Sequence, residues 1–143
     1  MKTNLPIFIL VLCLAARVCV AQADSPAIIP LPQKMELRSG TFKLTPETKI
    51  VADSASLETA RYLAARLRKS TGYPLRIVNS ESNGADEGIL LTTQNAKSDL
   101  APEGYQLDVA PDSVGLRAPT QAGLFYGVQT LSQLFPPEIF SSN

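Results

Sequence analysis

Residues 102–137 read PEGYQLDVAPDSVGLRAPTQAGLFYGVQTLSQLFPP. Tyr105, Leu107 and Val109 alternate with Gln106 and Asp108, and Val114, Leu116 and Ala118 alternate with Gly115 and Arg117. A period of two is that of a strand with one buried face. Between the two runs, Pro111 presets the first central position of a turn over 110–113. A tight turn there sets Val109 against Val114, Leu107 against Leu116 and Tyr105 against Ala118. All the apolar side chains then share one face, and a slip of one residue would scatter them. The stretch therefore predicts a hairpin.

A helix should follow, with Thr120 as N-cap and Gln121 as its first residue. Leu124, Val128, Leu131 and Phe135 make a stripe at helical spacing, widened by Phe125 and Leu134. Pro136 and Pro137 stop it. Gly123 and Gly127 interrupt this helix, each at a cost of about 1 kcal/mol relative to alanine. Four residues apart, they share a face on which another backbone can come close. Either the domain's own sheet or a second domain fills that approach. Tyr126 and Gln129 lie off the main stripe, as interface residues or as amphipathic flank.

Together with the segment IIPLPQKMELRSGTFKL at 28–44, these residues resemble the non-catalytic N-terminal domain of family 20 glycoside hydrolases, the β-N-acetylhexosaminidases. The most specific part is AGLFYGVQTL at 122–131. A similar domain precedes the barrel of the O-GlcNAc hydrolases, the nearest competitor. The resemblance implies an α+β fold and a catalytic (β/α)₈ barrel as partner, docked in part through Gly123, Tyr126, Gly127 and Gln129. It also implies a chemistry in which the substrate's own acetamido group is the nucleophile, assisted by an adjacent Asp-Glu pair.

That pair has no counterpart here. Asp86-Glu87 is adjacent, but it falls in a polar loop at 79–88, far upstream of any barrel, and reads as solvated loop. A barrel takes about 250 residues, whereas this chain has 143 and ends six residues after Pro137. The expectation is a domain separated from its barrel, with no catalytic residue of its own and 138–143 as the start of a truncated linker. A free-standing carbohydrate- or protein-binding module is the alternative.

The first 23 residues have the form of an export signal: Lys2, an apolar run over 5–16, then Ala21-Gln22-Ala23 as a cleavage site. Arg17 interrupts the apolar run well short of the roughly 20 residues a membrane span needs. A periplasmic or secreted domain over 24–137 is expected. A lipoprotein fits less well, since Leu12 and Val18 precede the two cysteines, Cys13 and Cys19. Downstream of residue 23 there is no cysteine, and the chain has no histidine. Disulfides, the usual zinc sites and histidine-based triads are thereby excluded, and no cofactor is expected. Without Lys2 and Arg17 the chain carries 11 basic and 13 acidic side chains, scattered and with no basic stripe, so nucleic acid is not an expected partner.

In the middle of the chain, 35–37, 41–44, 48–52, 75–78 and 89–92 read as short strands. A helix is predicted from Leu57, with Asp53, Ser54 and Ser56 as candidate caps. Leu57, Ala60, Ala64 and Leu67 form its apolar stripe, Leu63 lies beside it, and Gly72 closes it. Hairpins with helices set apart from them predict a mostly antiparallel sheet with two helices packed on one face. On the hairpin's outer face, Asp108 and Arg117 lie diagonally, as a surface ion pair or as a docking contact.

Overall fold

The computed structural model describes residues 26–80 and 87–140. Five strands and two helices form the fold: β1 (Ile50–Ala52), α1 (Leu57–Thr71), β2 (Ile77–Asn79), β3 (Gly88–Thr92), β4 (Gln106–Val109), β5 (Ser113–Arg117) and α2 (Gln121–Leu134). The strands lie in the order β2-β1-β3-β5-β4.

The predicted hairpin is present in the predicted register, with Val109 opposite Val114 and Leu107 opposite Leu116. The Ala110 N–H donates to the Ser113 carbonyl at 2.8 Å across the turn. The ladder stops at Gln106–Arg117, and Tyr105 instead reaches α2, where its hydroxyl is 2.6 Å from Thr130 Oγ1.

The sheet is mixed, not mostly antiparallel. β1–β2, β1–β3 and β3–β5 are parallel, and only β4–β5 is antiparallel. Chain direction follows from the connections. Helix α1 carries the chain from the end of β1 back to the start of β2, as a parallel crossover requires. After β3, the loop over 93–105 takes the chain to the far edge, where β4 runs down and β5 returns beside β3. Alternating side chains report which face a residue occupies, not which way its neighbour runs.

The strands expected at 35–37 and 41–44 do not form. β1 and β3 already have neighbours on both sides, and this segment lies over the sheet's second face instead. Arg38 sits near Leu90 and Gly115, Phe42 near Val51 and Val78, and Gly40 against the Pro111 ring.

Both helices cover the first face. Ile50, Ile89, Leu91, Val114 and Leu116 from the strands meet Ala60, Leu63, Ala64 and Leu67 of α1 and Leu124, Val128 and Leu131 of α2, all buried. α1 ends at Gly72, whose φ of 72° is the left-handed cap position. After α2, a 3₁₀ turn over Pro137–Ile139 brings Ile139 and Phe140 back against the core. The expected export signal over residues 1–23 lies outside the described residues.

Candidate functional site

Helix α2 has two unlike faces. Thr120 caps it, accepting from the Gly123 N–H at 3.3 Å. A methyl group at Gly123 would overlap the Gly104 carbonyl oxygen and lie 2.9 Å from Ala118 Cβ. One at Gly127 would overlap Leu116 Cδ1 and lie 3.0 Å from Cδ2. Both glycines seat the helix on the chain's own sheet and the loop leading into it, so the close approach inferred from their spacing is internal. They do not reach the surface.

Opposite them, Phe125 and Tyr126 are 42% and 46% exposed. Phe125 belongs to this outer face rather than to the buried stripe that it was expected to widen. Gln129 and Gln133 continue the face at positions i+3 and i+7 from Tyr126. Helix α1 adds Tyr62, whose ring centroid is 5.4 Å from that of Phe125. The Tyr62 hydroxyl accepts from Gln129 Nε2 and from Arg66 Nη1, each at 3.4 Å. These two donors hold it below the ordinary tyrosine value. The Arg66 guanidinium also lies 4.7 Å from the Phe140 ring centre, and Phe140 packs edge-on to Phe135.

A proline-rich arm, residues 26–32 with Pro26, Pro30 and Pro32, joins this face through Gln133. Its side-chain oxygen accepts from the Ile29 N–H and its amide donates to the Ile29 carbonyl, both at 2.9 Å. Ile28 is buried, while Ile29 and Leu31 stand 80% and 79% exposed. Of the predicted surface residues, Tyr126 and Gln129 come together here. Tyr62, Phe125 and Gln133 escaped sequence reasoning. The available signal was an aromatic residue, Tyr62, on the otherwise charged side of α1.

Away from this face, Asp53 has a structural role. Asp53 is buried where β1 ends. It accepts from Thr92 Oγ1 at 2.6 Å, the Thr93 N–H at 2.9 Å, and the Ser56 hydroxyl and N–H at 2.7 and 2.8 Å. Burial pushes its pKa up, but these hydrogen bonds outweigh burial and hold the carboxyl below its usual range. Asp108 and Arg117 make no ion pair. Asp108 accepts from Gln106 Nε2 at 2.6 Å, and the Arg117 side chain lies over Gly115. Glu87 is exposed, and its neighbour Asp86 lies outside the described residues. Among the described residues no cluster of His, Cys, Asp or Glu could hold a metal. No helix there is long and apolar enough to cross a membrane.

The profile of glycosyl hydrolase family 20, domain 2, matches residues 25–141. The chain belongs to that family. Family 20 relatives share both its sequence and its fold. A β-hexosaminidase of Porphyromonas gingivalis is 35% identical over 118 residues, which cover 81% of this chain and 15% of the relative. The family 20 β-N-acetylhexosaminidase of Streptomyces coelicolor A3(2) superposes with a TM-score of 0.68 at 37% identity, over 79% of this chain and 22% of that one. The N-acetyl-β-hexosaminidase of Streptomyces plicatus gives 0.61 at 38% identity, over 71% of this chain and 20% of that one. The chain therefore spans about a fifth or less of the hexosaminidases it matches.

Proposed function

We propose that this chain is the non-catalytic N-terminal domain of an exported β-N-acetylhexosaminidase, which would release terminal N-acetylhexosamines from glycans. Its role is to brace a catalytic (β/α)₈ barrel. The observation that carries this reading is the placement of exposed apolar side chains. Of the eight large ones among the described residues, five (Ile29, Leu31, Tyr62, Phe125 and Tyr126) belong to the two helices and the arm. Apolar surface gathered on one side marks a contact. Phe140, packed against the core, lies on the same side beside Arg66 and Phe135.

Residues 24–143 should release no nitrophenol from a nitrophenyl N-acetylglucosaminide. They should bind the Streptomyces coelicolor enzyme's region C-terminal to the matched domain. Replacing Phe125 and Tyr126 by serine should weaken that binding at least tenfold, measured by calorimetry. Absence of any association would remove the bracing role. Binding of chitooligosaccharides by the chain alone would favour a free-standing module instead. Export predicts a processed product whose N-terminal residue is Asp24.

A further inference from the structure

The arm's position is set by one side chain. A primary amide offers one acceptor and a donor pair, and Gln133 uses both on the backbone of a single residue, Ile29, as a neighbouring strand would. The contact reads no side chain. It fixes the arm's orientation, with Ile28 turned inward while Ile29 and Leu31, on either side of Pro30 in a bend, stand outward. These two are the most exposed large apolar side chains among the described residues. Gln133 occupies the same helix face as Tyr126, two turns on and about 10 Å along the axis. The arm thus continues the aromatic patch instead of forming a separate surface. Among the described residues nothing covers it, and both Gln133–Ile29 hydrogen bonds are exposed to solvent.

We propose that the arm is the second half of the docking surface. Ile29 and Leu31 are anchors that enter apolar sites on the catalytic barrel, and Gln133 is the positioning residue that aims them. This rests on the bracing role proposed above. The barrel is the occupant because the chain corresponds to only 22% of the Streptomyces coelicolor enzyme, which leaves a much larger body to cover this side.

Residues 24–143 contain no cysteine, so one introduced thiol reports its own burial. Leu31→Cys and Tyr126→Cys are labelled with a maleimide in the domain alone and in the domain joined to the C-terminal region of the Streptomyces coelicolor enzyme. The modified peptides are identified by mass. Joining should slow both reactions at least tenfold. Adding Gln133→Ala should speed labelling of Leu31→Cys at least threefold in the joined protein and leave Tyr126→Cys protected. If Tyr126→Cys alone is protected, the arm is not an anchor and the bracing role stands. If neither is protected, both ideas fall. If Gln133→Ala changes nothing at Leu31→Cys, Gln133 does not position the arm.

Discussion

Residues 106–134 and residues 26–48 lie against the same sheet but are held there by different means. In the later stretch each contact is specified locally: a tight turn closes β4 on β5, Thr120 caps α2, and two glycines seat that helix on the strand just made. The earlier stretch has no strand or helix. It is held by single attachments: the Gln133 clamp on Ile29, Gly40 against Pro111, and a turn in which the Thr45 N–H donates to Thr48 Oγ1 at 2.9 Å. A segment with its own periodicity brings its packing with it. One without takes its shape from the surface it lies on. Damage to the first should therefore cost global stability, and damage to the second should cost local order.

The largest effect is expected at Gly127. Leucine there has to displace Leu116, a fully buried β5 side chain, and overpacking of that kind costs about 1–3 kcal/mol or more. Gly127→Leu should lower unfolding free energy by about 3 kcal/mol in urea. Gly127→Ala should lower it less, with part of the loss recovered when Leu116→Val is added. A loss under about 1 kcal/mol for leucine would mean that α2 is not seated on this strand, and the contrast between the two regions would weaken.

This difference also explains what could be read from the residues alone. The hairpin register and the start of α2 were legible because each depends on neighbours within a few positions. The cap of α1 at Gly72 was legible for the same reason. Strand direction was not, since it depends on the path of the 93–105 loop and on the α1 crossover. The arm's clamp was also hidden, because Ile29 and Gln133 are 104 residues apart. At the candidate site, the stripe of Leu124, Val128 and Leu131 identified the helix and its inward side, but the spacing of Gly123 and Gly127 did not say which backbone comes close. That depended on where β5 and the Gly104 backbone already lay.

Asp53 joins elements that are distant in sequence and should rank second. Asp53→Ala leaves the Thr93 N–H and the Thr92 and Ser56 hydroxyls without this acceptor, while the Ser56 N–H keeps the backbone carbonyl of residue 53; the change should cost about 2–3 kcal/mol, since bonds to a charged partner are the stronger kind. The carboxyl's folded pKa is depressed. Its stabilisation is therefore fully present above the unfolded value near 3.9 and is lost as pH falls through the folded value. Urea midpoints should decline below about pH 4, and Asp53→Asn should flatten that decline. An unchanged acid slope in Asp53→Asn would assign the acid sensitivity to other carboxylates.

The smallest effect on stability is expected at Gln133, although its effect on order is large. Solvent-exposed hydrogen bonds contribute about 1 kcal/mol or less each to net stability, and nothing in the core rests on Ile29. Gln133→Ala should therefore leave the urea midpoint nearly unchanged while the Ile29 amide loses its protection from hydrogen exchange. Amides of α2 that face the sheet, such as Val128, should exchange as slowly as before. Were Gln133→Ala instead to unfold the domain as readily as Gly127→Leu, the arm would belong to the core. Its exposed isoleucine and leucine would then need an explanation other than readiness for a partner.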